Sequence, residues 1–271
     1  MVNFIKAIVN YIFLNGRSHS KGISFYKEQP ENIVIEVDKD KNHYIGAYLL
    51  NGNIQINENT KFFVVCHGKG TDRHDATGHS KLKTQSNKNA VFLMIDYSGF
   101  GESTVDFSKE NANKDMHAAF EFMKAKYKNS KEIFAIGHSY GTAVVLAYTD
   151  HAKENGKSIQ PGKIFLFAPF EELSPLLWGF NKFLSFLFYI PGLESLLFSE
   201  LEYNNGEVVD KHQEKIVIFH GKKDQMIPFE HSQRMAERSR KAKVFFTEDS
   251  HDAVFENLEN WNVLFKEANV D

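Results

Sequence analysis

Six short, almost wholly apolar runs constrain the fold of this chain more than anything else in it. They are Lys61–Cys66, Ala90–Ile95, Glu132–Ile136, Lys163–Phe167, Lys215–Phe219 and Lys243–Thr247. A strand with one wet face alternates apolar and polar residues, so these near-continuous runs read as strands covered on both faces. Helical stretches fall between them. Asn113–Lys128 carries Met116, Phe120, Met123 and Tyr127 at helical spacing, and Ala253–Ala268 carries Val254, Leu258, Trp261, Leu264 and Phe265. Phe229–Arg240 is a polar, outward-facing helix. Strands alternating with helices predict an α/β fold, a mostly parallel sheet with helices on both faces. Asn32–Val37 and His43–Leu50, followed by the Asn51-Gly52 turn, read as a pair that adds an antiparallel edge.

The third of these runs leads into Gly137-His138-Ser139-Tyr140-Gly141, and an apolar helical stretch, Thr142–Tyr148, follows. A serine at the sharp bend between strand and helix is exposed on a strained turn. Glycines two before and two after it remove side chains that would collide there, the pattern of a nucleophile elbow. Serine is a poor nucleophile until a base takes its proton, and the base needs an orienting carboxylate. Asp224 stands just past the Lys215–Phe219 run, and His251 just past Lys243–Thr247. The order Ser139, Asp224, His251 suits this elbow. Glu248, Asp249 and Asp252 are rival carboxylates, but they lie too close to His251 in sequence to be preferred.

An oxyanion hole next to such an elbow uses the N–H after the nucleophile, here Tyr140. Its second N–H comes from the loop after an earlier strand. That loop is His67-Gly68-Lys69-Gly70, and the backbone N–H of Lys69 is the expected donor. His67, Asp72, His74, Asp75 and His79 are dense in ligand-type side chains, yet their spacing matches no zinc motif, so no metal or organic cofactor is expected. His138 and His220 read as sheet-flanking residues, and Cys66 as a buried structural thiol.

His67–Gly70, Asp96–Ser103, Gly137–Gly141, His220–Asp224 and Ser250-His251 together resemble the α/β-hydrolase superfamily. The nearest resemblance is to the branch holding monoacylglycerol lipases, lysophospholipases and protein depalmitoylases. The resemblance covers roughly residue 60 to the end. It implies that Asp96 belongs to a structural loop near the site. Lys69 departs from the small residue common at its place. The resemblance also implies a lid inserted after the Lys163–Phe167 strand. The apolar stretch about 171–205 fits that role, broken by Pro191-Gly192, with Trp178, Phe183, Phe186 and Leu187 as expected acyl-chain contacts.

These readings describe a serine hydrolase that cleaves a carboxylic ester or thioester of an apolar acyl group. A peptidase of the same fold, or a non-catalytic small-molecule binder, is the alternative. At 271 residues the chain suits one domain, expected over 31–271, behind an N-terminal amphipathic segment, 1–30. That segment docks on the body or rests on a membrane surface. The net charge of −3 and the absence of a basic stripe argue against nucleic acid. The partner expected instead is a small-molecule or lipid-like acyl substrate, with peripheral membrane contact through the N-terminal segment or the lid left open. One cysteine permits no intrachain disulfide, which fits a reducing, cytoplasmic setting, membrane-peripheral being the alternative.

Overall fold

The computed structural model describes residues 31–79, 88–128, 130–156, 158–172 and 203–270. Among them eight strands form one sheet: β1 (Glu31–Asp38), β2 (His43–Leu50), β3 (Lys61–Cys66), β4 (Ala90–Ile95), β5 (Ile133–His138), β6 (Ile164–Phe167), β7 (Ile216–Gly221) and β8 (Lys243–Thr247). The strand order is β1-β2-β4-β3-β5-β6-β7-β8. From β4 to β8 every neighbouring pair is parallel, while β1 and β2 run antiparallel at one edge, as expected. The chain moves from β3 outward to β4, then returns to the other side of β3 for β5. In an open α/β sheet this reversal leaves a crevice at the carboxyl ends of the two central strands. Here the residues at those ends are the His67–Gly70 loop and Ser139.

The helices are α1 (Arg73–His79), α2 (Lys109–Lys126), α3 (Tyr140–Asn155), α4 (Asn205–Lys211), α5 (Glu230–Arg238), α6 (Ala253–Glu256) and α7 (Leu258–Ala268). One face of the sheet packs with Met116, Phe120 and Met123 of α2 and Val144 and Tyr148 of α3. The other packs Phe63, Phe92, Phe167 and Phe219 with Trp261 and Phe265 of α7. Trp261 is fully buried and stacks on Phe167 at 5.5 Å. Burial on both faces is why β3 to β7 carry no alternation, whereas β8, expected to be covered as well, is an edge strand whose residues are exposed or half-buried.

Several helix bounds differ from expectation, and three of the differences have a local reason. Helix α2 starts at Lys109, earlier than the expected Asn113, because the Ser108 hydroxyl accepts the Asn111 N–H and caps it. The expected Ala253–Ala268 helix is two helices. Asn257 leaves helical geometry (φ −70°, ψ 114°), and its side chain caps α7 by accepting the Glu259 N–H. Helix α5 ends at Arg238, short of the expected Arg240, where the Ser239 N–H bonds back to Met235. The short helices α1 and α4 have too few apolar residues to show a period, so they stand where no helix was expected.

The expected 1–30 segment, and Trp178, Phe183, Phe186 and Leu187 of the expected lid, lie outside the described residues. The two ends of that insertion are described. Glu172 and Asn204 pair as an antiparallel bridge, so the chain leaves and rejoins the body at one place. Among the described residues no helix is long and apolar enough to cross a membrane.

Candidate active site

The elbow is built by close backbone approach. Ser139 has φ 52° and ψ −119°, a conformation that costs a non-glycine residue roughly 1–3 kcal/mol. It is held by the strand below, where the Ser139 N–H donates to Phe167 O at 2.8 Å, and by the helix above, where the Thr142 N–H donates to Ser139 O at 3.0 Å. A Cβ on Gly137 would come within 2.6 Å of Gly141 O, and one on Gly141 within 2.4 Å of Cys66 O. Any side chain at either place would push helix α3 off the sheet.

Asp224 and His251 arrive from neighbouring strands. An added Cβ on Gly221 would meet Asp249 O at 2.1 Å, so the loop after β7 lies directly against the loop after β8. Asp224 closes a turn on itself: its Oδ1 accepts the N–H groups of Met226 and Ile227, both at 2.8 Å. Its Oδ2 is then left to face His251 Nδ1 at 2.7 Å, and His251 Nε2 lies 2.9 Å from Ser139 Oγ. The structure therefore brings Ser139, His251 and Asp224 into one hydrogen-bonded line across 112 residues of sequence. The rival carboxylates have other partners. Asp249 accepts from Thr247 Oγ1 and Asn257 Nδ2, and Glu248 pairs with Lys222 and Lys223. Asp252 lies 3.9 Å from His138.

The electrostatics favour an ionised Asp224. Burial alone raises a carboxyl pKa, but the His220 and His251 imidazoles and the Ile227 N–H outweigh it and hold Asp224 well below the usual range. His220 does more than flank the sheet. Its Nε2–H donates to Ile227 O at 2.9 Å and lies 3.4 Å from Asp224 Oδ2, while Nδ1 accepts from Ser232 Oγ at 2.6 Å. It clamps the turn that aims Asp224. The sequence held a hint of this in the spacing of His220 and Asp224, which starts in the strand and ends in the turn. His138 stacks flat on Phe255, with centroids 4.8 Å apart, and bonds the His251 carbonyl at 3.3 Å. Burial and the neighbouring His251 lower its pKa to about 4.

The His67–Gly70 loop lies beside the elbow, where a Cβ on Gly68 would be 3.3 Å from Ser139 Cβ. Tyr97 OH donates to His67 O at 3.0 Å and Thr71 Oγ1 to Gly68 O at 2.9 Å, which fixes the loop from both ends. Tyr140 opens α3, so its N–H points away from the helix's own carbonyls. The Lys69 side chain is exposed. Asp96 is structural, as expected: Oδ1 accepts the Arg73 N–H at 2.7 Å, and Oδ2 pairs with the Arg73 guanidinium and accepts the Glu102 N–H at 3.1 Å. Arg73, 4% exposed and 4.6 Å above the Tyr48 ring, gave no sequence signal, yet it anchors the Asp96–Ser103 loop. Cys66 is wholly buried, and burial pushes its thiol pKa up, which suits a structural role. Among the described residues, the ligand-type side chains around His67 form no group of three ligand atoms. Asp72 Oδ1 caps α1 by accepting the His74 and Asp75 N–H groups, and His67 stacks on Tyr97 at 4.6 Å.

The chain has relatives. A family model described as serine aminopeptidase, S33 matches residues 57–214, more than half of the chain. The chain belongs to that family of hydrolases. The Homo sapiens protein ABHD12B is 27% identical over 187 residues, 66% of this chain and 50% of that protein. The chain thus spans about half the length of the curated relative it matches. Among solved structures, the Pyrococcus furiosus esterase Pf2001 superposes with a TM-score of 0.66 at 17% identity, over 93% of this chain and 96% of its own. Est1E from Butyrivibrio proteoclasticus, solved with ferulic acid, gives 0.62 at 18% identity, over 87% and 99%. With the sheet order above, these likenesses show an α/β-hydrolase fold.

Proposed function

We propose that this hydrolase cleaves carboxylic ester or thioester bonds of an apolar acyl substrate through an acyl-enzyme on Ser139. The observation that carries the reading is the line from Asp224 Oδ2 through His251 to Ser139 Oγ, at 2.7 and 2.9 Å. Ser139 Oγ attacks the substrate carbonyl as His251 Nε2 takes its proton. Asp224 receives the Nδ1–H bond, fixes the tautomer and stabilises the imidazolium. The backbone N–H groups of Tyr140 and Lys69 hold the oxyanion. His251 returns the proton to the leaving oxygen or sulfur. Water then attacks the acyl-enzyme, giving its proton to His251, and the acid leaves as Ser139 is reprotonated.

Beside the nucleophile, the Tyr140 ring meets Phe107 at 5.7 Å and Tyr203 at 5.9 Å, surroundings that favour an apolar acyl group. Trp178, Phe183, Phe186 and Leu187 are the acyl-chain contacts in the same reading. A peptidase is the second reading, favoured by the description of the matched family. The test is a series of p-nitrophenyl esters of rising acyl length beside aminoacyl p-nitroanilides, with fluorophosphonate labelling of the folded protein. Ester turnover and labelling at Ser139 support the proposal. Turnover of anilides alone selects the peptidase. Folded protein that neither turns over nor labels is a binder.

A further inference from the structure

One ligand atom from each of His138, His251 and Asp252 lies within 4.8 Å of the others, the one such group of three among the described residues. The cluster mixes the proposed catalytic base with two side chains that the reaction does not use. His138 is fixed by its stack on Phe255, and its Nε2 faces both the His251 carbonyl at 3.3 Å and Asp252 at 3.9 Å, so a metal taking that nitrogen's lone pair displaces the carbonyl bond and moves the ring proton to Nδ1. Asp252 follows His251 directly and keeps 63% of its side chain exposed, so an ion can reach the cluster from solvent and the carboxylate can swing to meet it.

We propose that His138, His251 and Asp252 form an inhibitory site for a divalent transition-metal ion of the zinc type. Two imidazoles and a carboxylate are the donor set such ions take, at about 2.0–2.2 Å from each ligand atom. A tetrahedral centre of that size sets its ligand atoms about 3.4 Å apart, so the cluster must tighten, and Asp252 has the freedom to do so. Mg²⁺ and Ca²⁺ prefer oxygen and gain little from two imidazoles.

The consequence for activity follows from the nitrogens of His251. Nδ1 is committed to Asp224, so the lone pair open to a metal is on Nε2, the atom facing Ser139. Coordination forms a metal–nitrogen bond with the electron pair that would otherwise take the Ser139 proton. No electron is transferred, and the serine keeps its hydrogen. This inhibition rests on the function proposed above, whereas the binding does not.

The test uses Co²⁺ alone as a spectroscopic probe on the full chain, read by its visible ligand-field absorption, and separately Zn²⁺ inhibition of p-nitrophenyl ester hydrolysis. We expect one saturable Co²⁺ per chain. Asp252→Asn, at an exposed position, keeps the metal-free rate but weakens Co²⁺ binding and raises the Zn²⁺ inhibition midpoint by about tenfold or more, since even outer-shell changes cost that much. His138→Gln, checked for folding by its melting curve, does the same. Co²⁺ binding that is absent at millimolar metal, or unchanged in both variants, overturns the proposal. Variant-sensitive Co²⁺ binding in a protein that hydrolyses no ester supports the site and removes the function proposed above.

Discussion

Among the described residues a serine, a histidine and an aspartate meet in more than one place, and the difference between the Ser139 and Ser98 clusters bears on what makes a serine reactive. At the carboxyl edge of the sheet, His251 stands between Asp224 and Ser139, one nitrogen to each. In the second cluster, Asp115 stands where the base should be. Ser98 donates its hydroxyl to Asp115 Oδ2 at 2.6 Å, and its N–H goes to the same oxygen at 2.7 Å. His43 Nε2 donates to Ser98 Oγ at 3.1 Å and lies 2.6 Å from Asp115 Oδ1. The Ser98 proton is thus held by a carboxylate, and the histidine donates to the serine instead of accepting from it. All three residues are at most 2% exposed. The same three residue types form the proposed nucleophile's relay in one place and a rivet between β2, α2 and the Asp96–Ser103 loop in the other.

The largest expected effect is on rate. Ser139→Ala should lower kcat by about 10⁴- to 10⁶-fold with the melting temperature nearly unchanged, while Ser98→Ala should leave kcat intact. Equal rate losses in the two variants would dissolve the contrast. Asp224→Asn should cost about 10⁴-fold in kcat by losing the imidazole's orientation. Asp115→Ala should instead cost stability, about 1–3 kcal/mol for each buried group it leaves unpaired, read by urea unfolding, because it strands His43 and Ser98.

Acid sharpens the contrast from another side. The folded-state pKa of His138 lies near 4, below its ordinary 6.5. Above pH 6.5 both folded and unfolded chains are neutral there, so nothing changes. Below it the unfolded chain takes a proton that the folded chain refuses, and stability is lost progressively down to about pH 4. The loss from this one group is up to about 3 kcal/mol. Asp224, with its lowered pKa, begins to contribute only below the ordinary carboxylate value, so it does not share that window. Unfolding curves of His138→Gln should be flatter between pH 6.5 and 4 than those of the unaltered protein. The smallest effect concerns strain. Ser139→Gly should abolish turnover yet raise stability by about 1–2 kcal/mol, since glycine adopts φ 52° without cost. Equal stabilisation by Gly at Ser98, which is not at positive φ, would contradict strain relief as the cause at Ser139.

Much of the proposed site was legible because its parts obey local rules. Asp224 stood out from Glu248, Asp249 and Asp252 by its place just past a strand, and the structure gives each rival another partner. The helix break at Asn257 was hidden because an apolar stripe continues across it, through Val254, Leu258 and Trp261. The Ser98 cluster was invisible because its members come from β2, the loop after β4 and α2. Only the antiparallel placement of β2 beside β4 brings residues 55 positions apart into contact. The His138, His251 and Asp252 group was hidden for the same reason, since its two halves arrive from β5 and from the loop after β8.

Apolar runs and the steric demands of a tight turn act over a handful of neighbouring residues, so the amino-acid order alone determined the strands, the elbow at Ser139 and the residue types able to serve it. Which side of β3 receives β4 and which receives β5, and therefore that His251 reaches Ser139 while His43 reaches Asp115, was decided only when both faces of the sheet were covered. Those contacts depend on closing loops of tens of residues, and their free energy comes from burial shared across the whole core, which no local stretch of chain encodes.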